Sequence, residues 1–125
     1  MTTSSRQPGR HRLAIKRVYL PPEETDGQRV LVDRLWPRGL RKADAHVSVW
    51  LKEVAPSTEL RQWFGHDPAR WAEFKSRYAA ELAHNPALEK LRDLWAQGDV
   101  TLLYSAHDEA HNQARALADF LEASR

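Results

Sequence analysis

The sequence predicts an α/β fold: a small layered domain with a mainly parallel sheet flanked by helices. Three observations carry that prediction. Two short runs, "VLV" at residues 30–32 and "VTLLY" at residues 100–104, are apolar at almost every position, the pattern of strands covered on both faces. Between them lie three segments of helical period with marked starts and stops. A fourth helical segment closes the chain, and this alternation of strands with helices is the order of a layered α/β domain.

Taken in order, residues 13–19, "LAIKRVY", are rich in β-branched and aromatic side chains and stop before Pro21-Pro22, so they read as a first strand. "PPEETDGQ" is a polar turn. Residues 29–35, "RVLVDRL", form the second strand. Ser57 is placed to cap a helix through "TELRQWF", which Gly65 ends. Asp67-Pro68 starts the next helix, with Asp67 as cap and Pro68 at the first position, where its missing N–H costs nothing. Trp71, Phe74, Tyr78 and Leu82 then make one stripe along that helix. Asn85-Pro86 repeats the device and opens "PALEKLRDLWAQ", with Leu88, Leu91 and Trp95 on one face and Gly98 as the stop. After the strand at 100–104, residues 109–123 return to helical period, with Ala114, Leu117 and Leu121 on one face, Phe120 beside them, and Asp108 as the expected cap.

Composition limits the function classes. A chain of 125 residues is one domain's worth, and the absence of cysteine excludes disulfides, thiolate metal sites and cysteine nucleophiles. No bilayer-length apolar run occurs, and the start "MTTSSRQPGRHR" does not read as a secretory signal, so a cytoplasmic location without membrane contact is expected. The net charge of +2 is unevenly spread. The first 20 residues hold five bases and no acid, leaving 14 bases against 17 acids in the rest. Residues 1–12 read as a disordered basic tail, and residues 13–125 as a single α/β domain.

In open α/β sheets, ligands bind beyond the carboxyl ends of the strands. Two loops leave such ends. "DRLWPRGLRK", residues 33–42, brings Asp33, Arg34, Trp36, Arg38 and Gly39; "SAHDEAHN", residues 105–112, brings Ser105, His107, Asp108, His111 and Asn112. Arginine offers a planar fork of donors suited to carboxylate or phosphate, and Gly39 permits close approach of backbone or a positive φ. Arg34 has two readings, an internal pair with an acid such as Asp33 or a contact to an anion, while Arg41 and Lys42 read as surface cations. Trp36 is a packing residue or an aromatic wall.

His107 and His111 are four apart, as in the zinc-protease pattern, but Asp108 stands where that pattern needs glutamate, so no metal is expected. Asp108 with His111 is the candidate acid/base pair. Ser105 lacks the glycines of a nucleophile elbow, and His66 reads as a turn residue. There is no Walker loop or dinucleotide fingerprint, so no cofactor is expected.

The segments "RVLVDRLWPRGL", "WLKEVAPSTELRQWFGHDPARWAEFKSRY", "ELAHNP" and "VTLLYSAHDEAHN" resemble the DUF488 family, in its YeaO-like branch of small bacterial proteins of unknown function. The resemblance spans roughly residues 13–122. It implies a small bacterial α/β domain and no particular activity, and it matches the family pattern at Asp33 to Gly39, Phe64 to Pro68 and His111-Asn112. His107 departs from it, a lysine being common there. Three functions follow as expectations. One is binding, with or without processing, of a small anionic ligand such as a nucleotide or phosphorylated metabolite in a cleft lined by Arg34 and Arg38. The second is a nucleic-acid-binding or transcription-regulatory module using the basic tail. The third is a protein-interaction module, which requires the tryptophans to form an exposed patch.

Overall fold

The computed structural model describes residues 11–124, so most of the expected tail, residues 1–10, lies outside them. Residues 11 and 12, assigned to that tail, are instead tied to the domain. The His11 carbonyl accepts the Trp95 indole N–H at 2.8 Å, and the Arg12 amide donates to Asp99 Oδ1 at 2.8 Å.

Among the described residues, four strands, β1 (Leu13–Arg17), β2 (Gln28–Leu31), β3 (Val49–Trp50) and β4 (Val100–Tyr104), form one all-parallel sheet in the order β1-β4-β2-β3. The helices are α1 (Lys42–Ala45), α2 (Thr58–Phe64), α3 (Trp71–Ala83), α4 (Ala87–Gln97) and α5 (Gln113–Ala123). The α/β class and the parallel sheet are as the sequence predicts. The central place of β4 explains why "VTLLY" is buried at every position: it has a strand on each edge and a layer on each face.

Alternation along the strands divides the core in two. Val30, Val100 and Leu102 face the main cluster, with Phe74, Tyr78 and Leu82 of α3, Leu88, Leu91 and Trp95 of α4, and Leu117 and Leu121 of α5. These are the helix stripes read from the sequence. Full burial of each such side chain contributes about 1.5–3 kcal/mol. Leu31 and Leu103 point the other way, into a smaller cluster with Val18, covered by Trp36, Leu40, Val47 and Trp50.

A buried charge network stands on that second face. Asp26 accepts from Lys16 Nζ at 2.9 Å and from Arg29 Nη1 at 2.6 Å, while Arg29 also donates to the carbonyls of Ala45 and His46. Burial alone would raise the Asp26 carboxyl, but these donors outweigh it and hold its pKa below the usual value.

Several boundaries differ from expectation. β1 ends at Arg17 rather than 19, because the amide of Leu20 turns back to the Arg17 carbonyl. β2 ends at Leu31 rather than 35. Its ladder continues for one bond, from the Val32 amide to Leu103, before the chain leaves for the loop at Asp33. β3 and α1 are additions. Ser57 caps α2, and Asp67 and Asn85 accept from Ala69 and Ala87 as their positions predict. The last helix starts at 113 and not 109: Asn112 is its cap, accepting the Arg115 amide at 2.9 Å, while Asp108 closes a separate turn upstream.

Candidate functional site

The two loops singled out from the sequence meet at the carboxyl ends of β2 and β4, around a cleft of about 280 Å3. Parallel pairing of these neighbouring strands makes this unavoidable, since both chains then leave the sheet on the same edge.

The floor is built on Asp33, which is 7% exposed. Its Oδ2 accepts the Ser105 amide at 3.1 Å and the Ser105 hydroxyl at 2.6 Å, and its Oδ1 accepts the Gln113 side-chain amide. One carboxylate thus joins the end of β2, the end of β4 and the first turn of α5. No lysine or arginine among the described residues bonds it. Burial pushes its pKa above the usual value, only partly offset by the Ser105 hydrogen bonds, the positive charge of Arg61 and the Gln113 amide.

Arg34 forms no ion pair with Asp33 or any other acid among the described residues. It turns to the opposite wall and donates to the carbonyls of Ala55 at 3.2 Å and Pro56 at 3.4 Å. That wall is also pinned from behind, because Glu81 accepts both the amide and the hydroxyl of Ser57, and the buried Tyr78 hydroxyl donates to Val54. Trp36 lines the cleft with its indole N–H on the Leu40 carbonyl at 2.6 Å and its ring edge-on to Trp50. Arg38 is exposed at the mouth. Its backbone carbonyl is held by the Tyr19 hydroxyl, and its guanidinium has no partner among the described residues.

Of the residues expected to bind, Asp33, Arg34, Trp36, Arg38, Ser105 and Asn112 line the cleft, and Gly39 and His107 do not. Gly39 instead supplies a positive φ of 75° to the turn in which the Leu40 amide reaches the Pro37 carbonyl. His107 is exposed beyond the rim. The candidate acid/base pair does form, with His111 Nδ1 and Asp108 Oδ2 3.0 Å apart, yet neither residue lines the cleft. The Asp108 carboxyl is held below its usual pKa by the backbone N–H groups of Ala110 and His111 and by the His111 ring, so it acts as the acceptor of a turn. Among the described residues no group of three or more metal-ligating side chains converges.

Several lining residues were not singled out for the cleft from the sequence. Arg61 comes from α2 and His66 from just beyond it, with Phe64 and Phe74 stacked at 4.3 Å in the wall and Gln113 from α5. The Arg61 guanidinium makes no hydrogen bond or ion pair among the described residues. Its position follows from its neighbours: Leu60 and Phe64 take the core face of α2, leaving Arg61 beside it. His66 holds a left-handed φ of 58°, a conformation that costs a non-glycine residue about 1–2 kcal/mol. A retrospective signal exists in "FGHDP", the stretch that holds His66 and that also carries the family resemblance.

Comparison with known proteins gives a consistent result. The model of a family described as the inactive DUF488-N3 subclade matches residues 12–125. The chain is 47% identical over 110 residues to the uncharacterised protein Rv3073c of Mycobacterium tuberculosis, covering 88% of this chain and 93% of that one. It is 49% identical over 107 residues to the uncharacterised protein YeaO of Escherichia coli, covering 85% and 93%. No solved structure matches.

Proposed function

The chain belongs to the DUF488 family, in the subclade described as inactive, and from that premise we propose that it is a binding domain for a small anionic ligand held in the strand-end cleft. One observation carries the reading: Arg38 and Arg61 line the cleft with no hydrogen bond or ion pair from their guanidiniums to an acid among the described residues. Elsewhere on the surface, Arg41, Arg70, Lys75, Arg77 and Arg92 each pair with a nearby carboxylate. Unpaired guanidiniums converging on a concave site suit carboxylate or phosphate.

Binding is favoured over turnover. The subclade's description points that way, and the Asp108–His111 pair stands outside the cleft lining. Two observations favour a small ligand over nucleic acid or a protein. Within the basic stretch at 38–42, Arg41 is engaged by Asp44 and Lys42 lies over the Trp36 ring, leaving Arg38 as its cation without a side-chain partner. Trp50, Trp63 and Trp71 are half-buried and Trp95 is buried, so the tryptophans form no exposed patch.

A thermal-shift screen of inorganic phosphate, nucleotides and sugar phosphates tests the reading. A specific ligand at about 100 times its Kd adds about 2.7 kcal/mol of stability and raises Tm. The shift should be lost in Arg61→Ala. A panel without effect on the wild type, or an equal shift in the double variant Arg38→Ala/Arg61→Ala, would overturn it.

A further inference from the structure

The cleft is polarised along its depth. Its mouth carries the exposed guanidiniums of Arg38 and Arg61, whereas its floor carries the buried carboxyl of Asp33. A bare anion is attracted to the mouth and repelled by the floor, so a ligand that fills the cleft must present something other than negative charge to Asp33. A carboxylate offers about four lone-pair sites. Three are used here, two on Oδ2 by Ser105 and one on Oδ1 by Gln113, which leaves one acceptor position on Oδ1 of a residue that lines the cavity. No lysine or arginine among the described residues fills it. The space of about 280 Å3 lies at the lower limit of ligand sites, roughly 300 Å3, and suits a small metabolite.

Building on the anion-binding reading above, we propose that the ligand is two-ended, with its anionic group between Arg38 and Arg61 at the mouth and a hydroxyl or amino donor on Asp33 Oδ1 at the floor. The chemical class is a small phosphomonoester bearing a hydroxyl or amino group away from its phosphate. Phe64, Phe74 and Pro37 give the cleft an apolar lining that accommodates a short carbon skeleton. A site built to accept from a hydroxyl or amine discriminates strongly against the analogue that lacks it, because the buried acceptor then goes unpaired.

Titration calorimetry with matched alkyl phosphates decides the matter. Alkyl phosphates of three to six carbons are compared with the same chains carrying a terminal hydroxyl or amino group, and with inorganic phosphate. At the chain length that spans the cleft, the donor-bearing compound should bind at least about tenfold more tightly than its plain counterpart. Asp33→Asn should abolish that preference while retaining affinity for the plain phosphate. Equal binding of plain and donor-bearing compounds at every length overturns this inference and leaves the anion site standing, as does a preference that survives in Asp33→Asn. No binding by any compound removes both. The wild-type comparison decides even if the Asn variant fails to fold.

Discussion

Asp26 stands two residues before β2 and Asp33 two residues after it, and both are buried, at 3% and 7% exposure. Asp26 is bonded by Lys16 and Arg29, and its pKa falls below the usual carboxylate value despite burial. Asp33 is bonded by a hydroxyl and amides, and burial leaves its pKa raised. The same residue type at the two ends of one strand therefore contributes to stability with opposite sign. A buried carboxylate supplied with cations holds the fold together; one left without a bonded cation in a cleft costs stability and keeps acceptor capacity for something outside the chain.

Breaking the first half of this contrast has the largest effect. Asp26→Ala strands Arg29, itself 5% exposed, without its counter-charge, leaves Lys16 with Glu23 as its remaining acid partner, and removes a link between β1 and β2. Removing one partner of a buried pair typically costs about 3–5 kcal/mol. Urea denaturation should show a loss in that range, and a loss below about 1 kcal/mol would mean that the network is incidental to the fold.

Next in size is Arg34→Ala, which takes donors from the carbonyls of Ala55 and Pro56 and should cost about 1 kcal/mol while loosening the cleft wall. Arg61→Ala, by contrast, removes no hydrogen bond or ion pair found among the described residues and should stay within about 0.5 kcal/mol of wild type. Denaturation of the two variants side by side separates a cation that builds the cleft from one that serves its ligand. Equal losses would erase that distinction.

The legibility of the molecule in its sequence follows the same division between structure and site. Apolar stripes at Phe74, Tyr78 and Leu82, and at Leu88, Leu91 and Trp95, were readable because helical period and core burial are the same fact seen twice. β3 has only two residues, Val49 and Trp50, too few for any period, and the strand order depends on pairings that no local pattern records. The sequence points to a start of α5 that is too early because Asp108 and Asn112 are both competent caps, and Asp108 spends its side chain on a nearer turn. At the cleft, the loops after β2 and β4 were readable from the strand-end rule. Arg61 was not, since it arrives from α2, whose preceding strand β3 is too short to read from the sequence, and its place depends on how α2 packs.

A further small effect sharpens the comparison most. In Asp33→Asn the carboxamide oxygen can still accept from Ser105, and its NH2 can face Gln113 once the Gln113 amide turns to offer its oxygen, so the floor keeps its hydrogen bonds. What disappears is the buried charge. For wild-type Asp33, whose folded pKa lies above the unfolded value near 3.8, the native state holds more protons between those two values, so stability falls as pH rises through that window. Asp26 has the reverse sign: its contribution is complete above pH 3.8 and is lost as pH falls through its lower folded pKa. At neutral pH, Asp33→Asn should therefore be within about 1 kcal/mol of wild type and shifted toward greater stability, with the difference shrinking once acid protonates the wild-type carboxyl. Asp26→Asn, measured over the same pH series, should be least stable relative to wild type at neutral pH and recover part of the gap in acid. If both variants lose stability in parallel at neutral pH, the two aspartates serve the fold alike, and the assignment of Asp33 to the cleft loses its energetic support.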